Sequence, residues 1–412
     1  MRTVLGVFLL VMIYIVGCAS QFVKPRQTVR NAEMTGKEDR RRQPLVGFEQ
    51  TDLFVSGTEG YHTFRIPALA VTQNGTLLAF CEGRKHGRGD SGAIDTVLRR
   101  STDNGHSWGP LQVVGVGGED TCGNPCPIVE RRTGAVLLLL TKNKGAVNES
   151  MIMRGEAPPR TVWIARSMDD GVTWSALEEI SEQAREPEWR WYATGPGHGI
   201  QLANGRLVAP CDHSLGLDGY SHVIYSDDAG ASWRIGGVAT VCRGLTNCGG
   251  KTDESTVVEL FTVCRGLTNC DGTLYLNMRN NRGTHRRAFA TSTDKGLTWS
   301  PVGEDPTLVE PVCQASVLSL STEKDGAKNR IVFSNPASER RENMTVRLSY
   351  DECKTWPVAK TLWSGPSAYS DLVLAADKRI GCLYERGRDY PYETVTFALL
   401  TLEWLTEGRD AL

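Results

Sequence analysis

Several features are missing from this chain, and each absence narrows its chemistry. Lys and Arg number 46 against 48 Asp and Glu, a formal net charge of −2. That balance leaves no electrostatic footprint for a nucleic-acid partner. No convincing amphipathic helix can be found, so strands must build the core. No CxxC pair and no HExxH occur, which removes the usual zinc signatures. No GxSxG occurs either, which disfavours a serine hydrolase. The apolar run Val4 to Val16 has 13 residues, short of the ~17–25 that a membrane helix needs.

That run has another reading. It follows Arg2 and ends in IVGC, Ile15 to Cys18, as a secretory signal does. The ending resembles a bacterial lipoprotein signal with Cys18 as the lipidated residue and a route to membrane attachment. The alternative is ordinary cleavage near Ala19 or Ser20. Residues 1–20 are therefore expected to direct export, to the cell envelope, the periplasm or the outside. Residues 21–47 are polar, basic and aperiodic, and read as a disordered tether.

Beyond the tether the chain repeats itself. The string SxDxGxxW occurs four times, at Ser101 to Trp108, Ser167 to Trp174, Ser226 to Trp233 and Ser292 to Trp299. A fifth copy, Ser349 to Trp356, carries Cys353 in place of the glycine. Starts recur every 57 to 66 residues, the mark of one supersecondary unit used many times. In each box the Asp can bond nearby N–H groups, the Gly can take positive φ, and the Trp can plug the turn onto a sheet.

Short apolar strands precede each box, among them TVLRRS, TVWIARS and HVIYS. A second kind of strand follows a turn signal, as in GTLLAFCEG and GRLVAPCDH. Several short strands per repeat, punctuated by some of the 43 glycines, predict an all-β chain, a six-bladed β-propeller over residues 48–412. Five boxes plus a closing segment give the six. That segment is Arg379 to Gly387 with Val395 to Trp404, completed by the strand near Gln50 to Val55.

Twelve cysteines suit an oxidising compartment. Cys122 and Cys126 are close enough in sequence to bridge, although pairing cannot be deduced. The nonamer TVCRGLTNC stands at Thr240 to Cys248 and again, identically, at Thr262 to Cys270. Two perfect copies 22 residues apart do not follow the repeat period and look like a recent duplication or a sequence-assembly fault.

Candidate chemistry is scattered. FRIP carries Arg65, GRKHGRGDSG carries Arg84 and Asp90, and TDESTVVEL carries Glu254. In LYLNMRN, period two sets Arg279 opposite Leu274, Leu276 and Met278; in MTVRLSY it sets Arg347 opposite Met344, Val346 and Leu348. GPSAYSDL contains Tyr369 and CLYERG contains Glu385. Singly, each has a bland explanation: a solvated arginine, a core tyrosine, a capping or ion-paired glutamate.

In this order FRIP, the Asp boxes, the GD loop, LNMRN, VRLSYD and AYSDL resemble the exo-α-sialidase family. The resemblance covers roughly Thr51 to Trp404. It implies a central site with no metal or organic cofactor, acting on sialylated glycoproteins, glycolipids or oligosaccharides, in a monomer. Arg65, Arg279 and Arg347 match the family's arginine triad, which clamps the substrate carboxylate. Tyr369 matches the nucleophile, Glu254 its base and Asp90 the acid/base. Glu385 matches the carboxylate that holds the first arginine, and Arg84 an additional pocket arginine. The chemistry implied is hydrolysis with retention through a tyrosyl–sugar link. Cleavage of another 2-keto acid sugar, transfer of the sugar to another sugar, and sugar binding without chemistry are the rival readings.

Overall fold

The computed structural model describes residues 47–240, 250–261, 272–325 and 327–412. The export segment with Cys18, nearly all of the tether and nearly all of both nonamers lie outside the described residues. The described chain is β-rich, with three short helices of at most five residues and one 3₁₀ turn among them.

Strands follow one another in antiparallel runs, each strand hydrogen-bonded to the next. Thr63–Val71, Leu77–Arg84, Ile94–Ser101 and Gln112–Gly115 make the first run. Thr121–Val129, Val136–Asn143, Thr161–Ser167 and Glu178–Glu179 repeat the plan. So do Thr252–Leu260, Thr273–Asn280, Arg286–Ser292 and Gly303–Val309. The long strand Val358–Leu374 serves two runs, pairing first with Glu342–Ser349 and then with Ile380–Arg386. The last run is completed from the other end of the chain. Phe48–Val55 pairs with Thr394–Leu400, with Gln50 opposite Ala398 and Thr51 opposite Phe397, as the sequence predicts.

Side chains alternate across each strand, so each sheet has two apolar faces to bury. They are buried between neighbouring runs. Phe80 and Leu98 of the first run pack with Leu138 and Leu140 of the second. Ile128, Leu139 and Ile164 of the second pack with Leu207, Ala209 and Ile224 of the next. Leu69, Ala79 and Val97 pack with Val373, Leu383 and Phe397, joining the first run to the last. Each fully buried Leu, Ile, Val or Phe among them stabilises the fold by about 1.5–3 kcal/mol.

The boxes fasten this arrangement. In the first, Ser101 Oγ donates to Asp103 Oδ1 at 2.7 Å, and Asp103 accepts from Ser107 N at 2.9 Å. The same contacts recur around Asp169, Asp228, Asp294 and Asp351. Hydrogen bonds from Ser107, first from its side chain, hold the Asp103 carboxyl down to about 2. The box glycine packs on the preceding run: Gly171 on Leu78, Gly230 on Leu137, Gly296 on Val223, and Gly105 on Phe397 of the last run. Cys353 keeps the turn at φ 65 and buries its thiol beside Phe333 and Trp356. The described cysteines, Cys122 and Cys126 among them, are buried free thiols.

At the centre, Asp371 gathers three runs. It accepts from Leu69 N and Ser316 Oγ, each at 2.7 Å, and contacts His198 Nδ1 at 2.7 Å. Such a satisfied polar cluster fixes how the inner strands sit against one another.

Candidate active site

Antiparallel pairing puts the start of one strand beside the end of the next. Arg65 and Glu254 stand near the starts of Thr63–Val71 and Thr252–Leu260. Arg84, Arg279 and Glu385 stand near the ends of Leu77–Arg84, Thr273–Asn280 and Ile380–Arg386. Tyr369 lies in Val358–Leu374, just after that strand begins to pair with Ile380–Arg386. All of these positions therefore meet at one end of the sheets. The pairing of Thr252 with Asn280 and of Ser255 with Met278 is kept although the second nonamer lies in the hairpin.

There they border a polar cavity of about 570 Å3, lined by Arg65, Arg84, Asp90, Glu254, Arg279 and Tyr369 among others. Glu385 lies just beneath, with no exposure. Its Oε1 accepts from Arg65 Nε at 3.1 Å and from Ile66 N at 2.9 Å, while Oε2 accepts from Tyr369 N at 3.1 Å. One carboxylate thus ties Arg65 to the backbone of Tyr369. The contact with Ile66 N needs a bulge, and Ile66 takes φ 61 there. A β-branched residue at positive φ is a genuine outlier, costing about 1–3 kcal/mol.

The Tyr369 hydroxyl donates to Glu254 Oε1. Arg279 Nη1 donates to Glu254 Oε2 at 2.9 Å and to the Tyr369 oxygen at 3.2 Å. Burial first, then the Glu254 charge, push the Tyr369 phenol well above its ordinary range, against the pull of Arg279, Arg341 and Arg65. The phenol is therefore neutral at rest. Burial pushes the neighbouring Asp253 up to about 6, with Arg279 opposing and Glu254 adding to the rise.

Asp90 stands at the mouth, its side chain 61% exposed. Arg84 Nη2 lies 2.8 Å and Arg65 Nη1 3.3 Å from Asp90 Oδ1. Burial works to raise its pKa, but Arg84 and then Arg65 outweigh it and hold the carboxyl below its ordinary value. Arg84 is itself clamped by Glu82, with contacts of 2.9 and 2.6 Å to Oε2.

Arg347 is placed elsewhere, and its expected role in the triad is corrected. It lies in Glu342–Ser349, between Phe333 and Ala359, and is not among the cavity residues. Its Nε is buried without a partner, and burial lowers its pKa against the charge of Asp305. Arg341 lines the cavity instead. It comes six residues earlier, roughly 20 Å along an extended strand. Its guanidinium lies 5.5 Å from the Tyr369 ring and donates to Tyr392 Oη at 2.7 Å.

Sequence reading also missed Glu82, Tyr392 and Asp212, which line the same cavity. Asp212 is 2% exposed and its Oδ1 has no hydrogen-bond partner. The available signal was a charged residue directly after the apolar stretch LVAPC of the strand LVAPCDHSL. For Arg341 the sequence held no signal, because it stands on the connection just before Glu342–Ser349. Among the described residues, no group of His, Cys, Asp and Glu is arranged to hold a metal ion.

Residues 75–383 match the family model described as a BNR repeat-like domain. An exo-alpha-sialidase of Arthroderma benhamiae is 30% identical over 394 residues, covering 87% of this chain and 88% of the relative. The chain belongs to the sialidase family. A sialidase of Micromonospora viridifaciens is 33% identical over 385 residues, 88% of this chain. The chain spans only 55% of the length of that relative. The solved structure of Hadza microbial sialidase Hz136 superposes with a TM-score of 0.74 at 29% identity. The alignment covers 86% of this chain and 69% of that one. A sialidase fold of the β-propeller type thus carries the tyrosine, the arginines and the carboxylates described above.

Proposed function

We propose that this chain is an exo-α-sialidase, a glycoside hydrolase that removes terminal α-linked sialic acid with retention. The contact of Tyr369 with Glu254, surrounded by Arg65, Arg279 and Arg341, carries this reading. Sialic acid bears a carboxylate on its anomeric carbon. An anionic nucleophile would approach a like charge, whereas a neutral phenol would not. Glu254 accepts the phenolic proton as the oxygen attacks, so no phenoxide needs to exist beforehand. The three guanidinium groups bind the substrate carboxylate and orient the anomeric carbon for attack by the Tyr369 oxygen, while the negative charge of Glu254 faces the positive charge that develops on the sugar in its oxocarbenium-like state.

Asp90 supplies the leaving-group proton, then draws a proton from water to break the tyrosyl–sugar bond. Arg84 and Arg65 hold its proton off. A substrate carboxylate competes for Arg65, which lets the Asp90 pKa rise when a proton is needed. Glu385 keeps Arg65 and the Tyr369 backbone in fixed relation. None of these steps needs a metal or cofactor.

For the fold we infer six blades about the central axis. The packing of each box on the preceding run, and of the first box on the last run, supports this. Export, with or without a lipid on Cys18, is inferred from the leader sequence alone. Sialylated glycoconjugates outside the cytoplasm are the substrates this combination suits.

The test is hydrolysis of a fluorogenic α-sialoside, with fluorogenic hexosides and a 2-keto-3-deoxy sugar glycoside as controls. Release from the α-sialoside alone, with the α-anomer of free sialic acid as first product by proton NMR, supports the reading. The β-anomer as first product excludes retention. A non-reducing product joined to a second sugar replaces hydrolysis with transfer, and no cleavage at all removes the enzymatic reading.

A further inference from the structure

We propose that Tyr392 is a positioning residue that holds Arg65 and Arg341 in their carboxylate-binding pose without neutralising either. The proposal rests on the sialidase reading above and extends it to a residue outside the reacting set. Tyr392 lies in the connection between Ile380–Arg386 and Thr394–Leu400, at the cavity end of the sheets. Its ring faces Arg65, whose guanidinium carbon is 4.2 Å from the centroid. Its hydroxyl oxygen accepts from Arg341 Nη1 at 2.7 Å. The backbone is pinned as well, because Ser56 Oγ donates to the Tyr392 carbonyl at 2.8 Å and Ser56 N donates to Glu393 O at 3.0 Å.

Two adjacent cations repel, and something must keep both facing the cavity. For Arg65 the partner below is Glu385, a full negative charge. Among the described residues, no carboxylate pairs with Arg341. A carboxylate in place of Tyr392 would hold Arg341 more strongly, but it would also compete with an anionic substrate. A phenol avoids that conflict. Its oxygen takes one N–H of Arg341, and its π face attracts Arg65 without using any N–H at all. Arg65 also gives one N–H to Asp90 at 3.3 Å and one more to Glu385 at 3.4 Å, and Arg341 gives one to the Val312 carbonyl at 3.4 Å; the second hydrogens on their Nη atoms are left for a carboxylate. Tyr392 also packs against the buried cluster of Ile66, Cys313, Ala368 and Tyr369, which helps to fix its position.

Two variants separate the two contacts. Tyr392→Phe keeps the face under Arg65 and removes the acceptor for Arg341. Tyr392→Leu removes both. Kinetics on a fluorogenic α-sialoside are paired with calorimetric binding of a non-hydrolysable sialic acid analogue and of its carboxamide. Tyr392→Phe should raise KM and weaken carboxylate binding roughly 10-fold, with kcat nearly unchanged, the loss expected for one hydrogen bond to a charged group. Tyr392→Leu should lose more in the same direction, while the carboxamide binds all variants about equally. A fall in kcat at unchanged KM, or equal losses for carboxylate and carboxamide, would overturn the proposal. If the wild type binds the analogue but cleaves no α-sialoside, the enzymatic reading fails, and the binding arm still decides the role of Tyr392. If the wild type does not bind the carboxylate analogue, both fall.

Discussion

Tyr369 and Glu254 meet through a single hydrogen bond, phenol to carboxylate, although they come from strands of different runs. Arg279 contacts both and holds the pair in register. Removing the hydroxyl keeps the ring volume and the cation contacts of its face. Tyr369→Phe should therefore leave the melting temperature nearly unchanged while turnover of an α-sialoside falls by orders of magnitude. Near-normal turnover would eliminate the proposed nucleophile.

Arg341 and Arg347 offer a direct comparison on one chain segment. Arg341 lines the cavity, and Arg347 does not. Lysine keeps the charge at either position but loses the planar fork. Arg341→Lys should raise KM by roughly 10-fold or more, since a bidentate contact to a carboxylate is lost. Arg347→Lys should leave KM within about 2-fold of the parent, as expected for a site that touches no substrate. The reverse ranking would restore Arg347 to the clamp.

Why this pair was misread shows what the sequence held and what it did not. Alternation correctly set Arg347 opposite Met344, Val346 and Leu348, which are all fully buried. Period two reports which face a side chain takes. It carries nothing about how far along the strand the position lies from the cavity end. Arg65 and Tyr369 were legible because the FRIP and AYSDL motifs mark them. Arg341 and Tyr392 stand on connections, where no period operates. The repeat of runs was legible because each box is a local turn with its own hydrogen bonds. The hold of Glu385 on Arg65 was legible only through the family resemblance, since the contact depends on distant strands meeting.

Asp90 is tested by the leaving group. A poor leaving group needs protonation and an activated aryl one does not. Asp90→Ala should depress cleavage of a sialyl-lactose far more than cleavage of an aryl α-sialoside. The arginines set the pH range. Arg84 is the main group holding the Asp90 carboxyl down, so Arg84→Ala should raise its pKa. The alkaline limb of kcat/KM on sialyl-lactose should then move to higher pH, even though overall activity falls. Equal losses on both substrates for Asp90→Ala would assign the proton to another carboxylate.

Ring closure is tested by two glycines. Gly105 and Gly205 both have positive φ, at 89 and 95. An alanine Cβ at Gly205 would meet nothing, whereas at Gly105 it would come 2.5 Å from Phe397 of the last run. Gly205→Ala should cost only the backbone strain, about 1 kcal/mol. Gly105→Ala adds overpacking and should cost about 1–3 kcal/mol more. Equal costs in urea melts would mean that the first box does not bear on the last run.

A final prediction concerns acid. His213 and His222 are buried, with their Nδ1 atoms 3.0 Å apart, and the His222 Nε2 contacts Tyr192 Oη at 3.1 Å. The His213 ring stacks on Trp189 at 3.5 Å. This contact needs at least one neutral ring, with one Nδ1 donating and the other accepting, so the two rings cannot both be protonated. Burial pushes His213 down to about 3, and burial plus His213 push His222 lower than its ordinary value. In the unfolded chain both titrate near ~6.5. Between those limits the unfolded state binds more protons, so stability rises with pH across the window. The contribution is fully present above about 6.5 and is lost as pH falls toward 3. Thermal melts should therefore drop from pH 7 to pH 5. The drop should be smaller in His213→Gln, which is less stable at neutral pH but has one titrating ring fewer. A His213→Gln protein with the same drop would show that other groups control the acid limb.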